Sequence, residues 1–143
     1  MSQKYEQLLL KNQICFPLYA CGRKIVGRYT PYLSPLGLTY TQYVVLMVLW
    51  EHREVTVGQL GGILHLDAGT LTPLLKRMES AGYVTRARSK EDERVTVVGI
   101  TEAGEELKEK CKDIPEKVAS GSSALSEEEA KELYRLLYRF LEG

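Results

Sequence analysis

The sequence predicts a mainly α-helical chain with one small β-hairpin. Three observations carry that prediction. Val55–Thr101 reads as a short helix, a tight turn, a second helix and two alternating strands. Side-chain caps of the Ser/Thr/Asp type stand immediately before several apolar-periodic runs, which is how helices are started. An apolar helical segment flanks this stretch on each side. Helix, turn, helix and hairpin in that order form a winged helix-turn-helix, with the hairpin as wing.

Taken from the N-terminal side, residues 8–32 are mostly helical in pattern. Ile14, Leu18, Cys21 and Ile25 recur at spacings of 4, 3 and 4. Pro17 lacks an N–H and clashes one turn back. A helix start near Asn12, with Pro17 near the end of the first turn, accommodates it, and so would a kink. Either solution leaves Cys15 close to a helix N-terminus or a break. Thr30-Pro31 and Ser34-Pro35-Leu36-Gly37 are expected to mark the exit. Thr39 and Gln42 form a capping box. The unbroken apolar run Tyr43–Trp50 behind them predicts a helix buried on most sides.

The next helix begins at Val57 behind Thr56, with Gln59 in the reciprocal capping position. Gly61-Gly62 costs about 1 kcal/mol per glycine inside it. Gly61 is readable as a close-packing position, and Gly62 has no account. His65-Leu66 forms the turn. Asp67 caps the second helix, in which Leu71, Leu74, Leu75 and Met78 make one core face. Thr70, Thr72, Lys76 and Arg77 lie opposite. Pro73 inside this helix removes one backbone hydrogen bond. Gly82 ends the helix in a left-handed conformation. Tyr83–Arg88 and Val95–Ile100 alternate as strands around the polar loop SKEDER. Thr101 caps a helix over 102–112, which Pro115 interrupts. A Ser-Gly-Ser-Ser stretch follows at 120–123. Ser126 with Glu129 starts the last helix, with Leu133, Leu136, Leu137, Phe140 and Leu141 on one stripe.

A chain of 143 residues suits one domain with a real core. The expected layout is a single domain over 1–143. Helices in 1–38 and 102–143 flank a winged helix-turn-helix over 39–101. The 19 basic and 19 acidic residues cancel, yet the segments 1–54, 55–101 and 102–143 carry +3, +1 and −4. Nucleic-acid binders are usually more basic, so binding would rest on a local basic surface with the acidic tail turned away. No run of about 18 apolar residues exists, so no membrane span is expected. MSQKYEQ lacks the regions of a signal peptide, from which a cytoplasmic location is expected. Cys15, Cys21 and Cys111 show neither a CxxC pair nor metal spacing with His52 or His65. No metal or cofactor is expected.

Function follows from residue types and placement. A short capped helix offers polar and basic side chains to a major groove. Arg86 and Arg88, two apart on one strand, share a face. Arg94 at the loop tip suits a narrow, electronegative minor groove. The candidate DNA-contacting residues are Thr70, Lys76, Arg77, Arg86 and Arg94.

LDAGTLTPLLKRMESAGYVTRARSKEDERVTVVGIT resembles the multiple antibiotic resistance regulator (MarR) family. Asp92-x-Arg94 followed by Ile100-Thr101 is similar to its wing signature, with Ile100 in place of the commoner Leu. The resemblance implies that the helix after Asp67 is the recognition helix and that Asp92 holds Arg94 by an ion pair. It adds Asp67 and Ala68, at the helix start, to the candidate DNA-contacting residues. It also implies that the end helices interleave as a homodimer interface. Two recognition helices would then read a pseudo-palindromic operator on double-stranded DNA. Ala68 departs from the family, whose members commonly have Ser there, and removes one expected hydroxyl contact.

NQICFPLYACGRK, with Tyr29, Tyr40 and LTYTQYVVLMVLWEH, narrows the resemblance to the organic hydroperoxide resistance regulators (OhrR), a peroxide-sensing branch of that family. It spans about Asn12 to Ile114 and fades in the last helix. By resemblance, Cys15 is the redox sensor, Tyr29 and Tyr40 hydrogen-bond its sulfur across the subunit interface, and Tyr19 lies near the same pocket. The chemistry suits these residue types, since a thiolate attacks a peroxide O–O bond and gives a sulfenic acid. Phe16, Leu18 and Val45 would favour bulky organic hydroperoxides. Some relatives carry a resolving cysteine shortly after the Ile-Pro that matches Ile114-Pro115. This chain has Ala119, Ser120, Ser122 and Ser123 there, and Cys111 precedes the proline. A small cellular thiol is therefore expected to cap the oxidised sulfur, and Cys21 is expected in the core or an interface.

The implied function is a dimeric DNA-binding repressor, not an enzyme, that organic hydroperoxide releases from its operator through Cys15. The alternative is a MarR-type regulator that answers a small aromatic ligand in the dimer cleft, with Cys15 structural.

Overall fold

The computed structural model describes residues 4–120 and 124–143. Of the expected Ser-Gly-Ser-Ser stretch, Gly121, Ser122 and Ser123 lie outside them. The chain forms two compact units, one ending at Tyr40 and one beginning at Thr41.

The first unit opens with two 3-10 turns, Glu6–Leu8 and Leu10–Asn12. Helix α1 follows over Cys15–Leu33. Asn12 does not cap it. Its side-chain amide instead donates to the Glu6 carbonyl at 2.8 Å, inside the preceding arm. Helix α1 starts three residues later, with Ile14 as its unbonded cap residue. Pro17 therefore falls in the first turn, where its missing N–H has no helical acceptor to lose. The expected exit at Thr30-Pro31 is also corrected, because α1 runs through Pro31 to Leu33. The chain leaves through a 3-10 turn, Ser34–Leu36, and Gly37 at φ +71°. The Leu38 N–H then closes onto the Leu33 carbonyl at 3.1 Å. Left-handed φ at low cost is what glycine supplies there.

Helix α2 spans Tyr40–His52. Tyr43, Val45, Leu46, Val48 and Leu49 are buried, in keeping with an apolar run that has no polar face. Strand β1, Glu54–Thr56, was not expected. Three residues are too few to show a period. It pairs antiparallel with β3, Thr96–Ile100, which also pairs with β2, Val84–Arg88, so the sheet order is β1-β3-β2. Val55 lies opposite Val98 and Arg86 opposite Val98 on the other side.

Helix α3 covers Val57–Leu64. Both halves of its capping box form: Gln59 N–H donates to Thr56 Oγ1 at 3.0 Å and Thr56 N–H to Gln59 Oε1 at 2.9 Å. A Cβ on Gly61 would lie 2.7 Å from the Leu66 carbonyl oxygen, so the turn into the next helix needs that glycine. A Cβ on Gly62 would meet nothing within 4 Å.

Helix α4, Ala68–Ser80, absorbs Pro73 and buries Leu71, Leu74, Leu75 and Met78. It closes in a Schellman turn. Tyr83 N–H donates to the Met78 carbonyl and Gly82 N–H to that of Glu79, both at 3.0 Å, with Gly82 at φ +86°.

Helix α5, Glu102–Cys111, is capped by Thr101, whose Oγ1 accepts the Gly104 N–H at 3.1 Å. The indole N–H of Trp50 donates to the Gly104 carbonyl at 3.0 Å, tying α5 to α2. Helix α6, Ile114–Ser120, carries Pro115 in its first turn. Helix α7, Glu127–Glu142, has a complete Ser126/Glu129 capping box and no buried residue. Its stripe stays open, with Leu133 44%, Leu136 45%, Phe140 63% and Leu141 52% exposed. Among the described residues, no single helix is long and apolar enough to cross a membrane.

Candidate nucleic-acid interface and reactive cysteine

The interface is built on α4 and the wing. Asp67 holds the start of α4 by accepting the Thr70 N–H at 2.7 Å. Hydrogen bonds from the Thr70 backbone, then from its side chain, hold the Asp67 carboxyl below its usual range. Ala68, Thr70, Lys76 and Arg77 are exposed on α4, while Thr72 is half-buried. The helix thus presents one polar and basic face because its opposite stripe is sunk in the core.

The loop between β2 and β3 is folded on itself. Ser89 N–H donates to the Val95 carbonyl at 2.8 Å, and Val95 N–H to that of Asp92 at 3.0 Å. Asp92 Oδ1 accepts the Arg94 backbone N–H at 3.0 Å and its Nε–H at 3.2 Å, and Oδ2 accepts from Nη2 at 3.3 Å. These bonds, the side-chain one first, hold the Asp92 carboxyl below its ordinary range. The Arg94 side chain is 91% exposed, so its guanidinium stands in solvent at the tip.

Arg86 is placed differently from an open phosphate-binding arginine. Its Nε and Nη2 donate to Glu79 Oε1 at 3.3 and 3.1 Å. Arg88 donates to the Glu93 carbonyl at 2.6 Å. A cleft of about 560 Å³ runs between the start of α3, α4 and the wing, lined by Ala68, Thr72, Arg86, Arg88 and Arg94 among others. Sequence reasoning missed Glu79 as the partner of Arg86. Glu79 and Arg86 are seven apart across a turn, and no single-element periodicity relates them.

Cys15 is the first residue of α1, and its side chain is exposed within the chain. Tyr19, one turn on, is 61% exposed. Tyr29 and Tyr40 pack together with ring centroids 4.9 Å apart and planes tilted by 56°. Phe16 is exposed and Leu18 half-buried, whereas Val45 is fully buried. Cys21 is exposed, which excludes the chain's own core as its place. Cys111 is buried, and burial pushes its thiol up. Among the described residues, no three His, Cys, Asp or Glu side chains gather into a metal site.

Residues 28–111 match the family of the transcriptional regulators SarA and Rot. The chain is 49% identical over 142 residues to the organic hydroperoxide resistance transcriptional regulator of Bacillus subtilis, covering 99% of this chain and 96% of that one. Among solved structures it is similar to AbfR of Staphylococcus epidermidis in two states. Reduced AbfR bound to DNA superposes with a TM-score of 0.77 at 36% identity, over 98% of this chain and 97% of the other. Disulfide-formed AbfR gives a TM-score of 0.65 at 35% identity, over 95% of each. With a capped α4, a folded wing and these matches along nearly its whole length, the chain belongs to the MarR/SarA family of transcriptional regulators, in its organic hydroperoxide resistance regulator-like branch.

Proposed function

We propose that this regulator is a homodimeric repressor that binds a pseudo-palindromic operator and releases it when organic hydroperoxide oxidises Cys15. The observation that carries the reading is the position of Cys15. It is an accessible thiol at the first position of α1. The high identity to a named organic hydroperoxide regulator supports it. So does the similarity to a regulator solved both reduced on DNA and disulfide-formed.

In the proposed reaction the Cys15 thiolate attacks the distal oxygen of the hydroperoxide. An S–O bond forms as the O–O bond breaks, and the alkoxide leaves and takes up a proton as the alcohol. Sulfur is oxidised by two electrons and the peroxide reduced. A small cellular thiol then displaces hydroxide from the sulfenic acid, which departs as water, and a mixed disulfide remains. Cys111 is too buried to resolve the sulfenic acid. Across the subunit interface, Tyr29 and Tyr40 assist by donating phenolic hydrogen bonds to the sulfur, and Tyr19 borders the same pocket.

On DNA, α4 acts as recognition helix. Thr70, Lys76 and Arg77 contact bases or phosphate in the major groove, with Asp67 and Ala68 at the helix start. Arg94, held by Asp92, enters the minor groove, and Arg86 supports it or meets phosphate. Residues 1–38 and 102–143 provide the dimerisation helices around the winged region 39–101. Added oxygen or thiol bulk at Cys15 shifts these helices and changes the spacing of the two recognition helices.

The test is a mobility shift on the DNA upstream of the protein's own gene, with and without an organic hydroperoxide. Wild type should bind and be released, and Cys15→Ser should bind and stay bound. Peroxide release of Cys15→Ser would overturn the sensing role. Release of both proteins by a small aromatic acid alone would favour a ligand in the dimer cleft.

A further inference from the structure

Glu79 is the next-to-last residue of α4. A carboxylate there faces the negative end of the helix dipole, so helix stability does not account for it. Its partner lies across the Schellman turn, on β2. Arg86 Nε and Nη2 donate to Glu79 Oε1 at 3.3 and 3.1 Å. The Arg86 side chain is 24% exposed and that of Glu79 40%. Among the described residues this ion pair ties α4 to the wing sheet, whereas the Asp92–Arg94 pair closes only the wing loop. A guanidinium presents its N–H groups in a fixed fork. Glu79 engages the Nε edge and leaves Nη1 for another acceptor, on a side chain that lines the cleft with Thr72, Arg88 and Arg94.

We infer that Glu79 is a positioning and specificity-determining residue for DNA binding. It fixes the fork of Arg86 beside the cleft between α4 and the wing, and it cancels the arginine's free charge. The inference rests on the DNA-binding reading above. Binding to arbitrary DNA is largely counterion release, counted per uncompensated cation. A neutralised, oriented Arg86 adds little to that term. It donates a directed hydrogen bond only when a strand is seated in the cleft, so the pair raises the ratio of specific to non-specific binding.

The experiment titrates the full-length protein against a random duplex and the duplex upstream of its own gene, between about 50 and 200 mM salt. Glu79→Gln keeps an oxygen acceptor for Arg86 but uncovers its charge. Its non-specific binding should fall more steeply with salt, by about 0.9 in the slope of log K against log salt, or roughly threefold more across that range. Its specific-to-non-specific ratio should fall. Adding Arg86→Gln should return the slope toward the wild-type value. Glu79→Ala should steepen the slope likewise and also lose affinity for the specific site, because nothing holds the fork. A thermal melt of each variant reports the tie between helix and wing. A lowered melting point with both affinities reduced alike and the slope unchanged would make Glu79 a structural tie and overturn the inference. Wild type without salt-dependent affinity for either duplex would remove the DNA-binding reading and this inference together. Wild-type binding with an unmoved Glu79→Gln slope would remove this inference alone.

Discussion

At Gly104 an added methyl would lie 2.3 Å from the Tyr83 carbonyl oxygen and 3.0 Å from Ile100 Cγ1. Backbone cannot yield cheaply there, because the same glycine's carbonyl accepts the Trp50 indole N–H and its N–H is held by Thr101. Gly104→Ala should therefore destabilise the winged unit by about 1–3 kcal/mol, the usual cost of overpacking. Gly62→Ala is the opposite case. Its methyl enters open space, so the change should stabilise by up to about 1 kcal/mol through helix propensity. Urea melts of the two variants check both signs. Arg94→Ala should weaken operator binding by about 1–3 kcal/mol if the arginine makes a groove contact. An unchanged affinity and salt slope would take the wing tip out of recognition.

Among the elements, α4 depends on its cap. The Asp67 carboxyl is held below its ordinary value of 3.8 by the Thr70 hydrogen bonds. A carboxyl depressed in the folded state contributes its full stability above the unfolded value. That contribution fades as pH falls through the lower folded value. Asp67→Ala should lower the melting temperature at neutral pH and show a shallower loss of stability between roughly pH 2 and 5 than wild type. Glu129 at the start of α7 follows the same sign through the Ser126 N–H and hydroxyl. Helix α1 shows where element boundaries escape sequence reasoning. Asn12 is a good cap by residue type, but its amide is taken by the Glu6 carbonyl. Pro31 looks like an exit, yet a proline in the last turn forfeits one hydrogen bond and need not end a helix.

On the scale of the whole molecule, α7 buries nothing although five large apolar residues share its stripe. Cys21, Ile25 and Val26 on α1 are exposed as well. Those faces are the ones proposed for the dimer. Leu137→Glu should shift the protein from dimer to monomer in sedimentation velocity and reduce operator affinity with it, since each half-site would then bind alone. A monomeric wild type would overturn the dimer reading. If the proposed sulfur contacts act, Tyr29→Phe and Tyr40→Phe should each slow Cys15 oxidation by organic hydroperoxide in a stopped-flow assay. Unchanged rates would leave the tyrosines as packing residues. Labelling of the native protein should modify Cys15 and spare Cys111, whose thiol is buried.

Much of the architecture was legible because it is written in short-range terms. Thr56 with Gln59, Asp67, Thr101, and Ser126 with Glu129 start helices through bonds to backbone three residues away. Gly82 ends one by a backbone conformation of its own. The core face of α4 follows from residue period alone, and so does the hairpin that bears Arg94. Other features arise only when distant residues meet. Strand β1 exists because β3 offers it an edge, and three residues hold no pattern without that edge. Gly104 is required because the Tyr83 carbonyl comes to rest against it. Glu79 meets Arg86 because the turn at Gly82 brings the end of α4 beside β2. Local sequence determines most of the elements and the chemistry they carry. The pairing of charges and backbone across elements depends on the path of the chain between them, so only the tertiary structure could decide it.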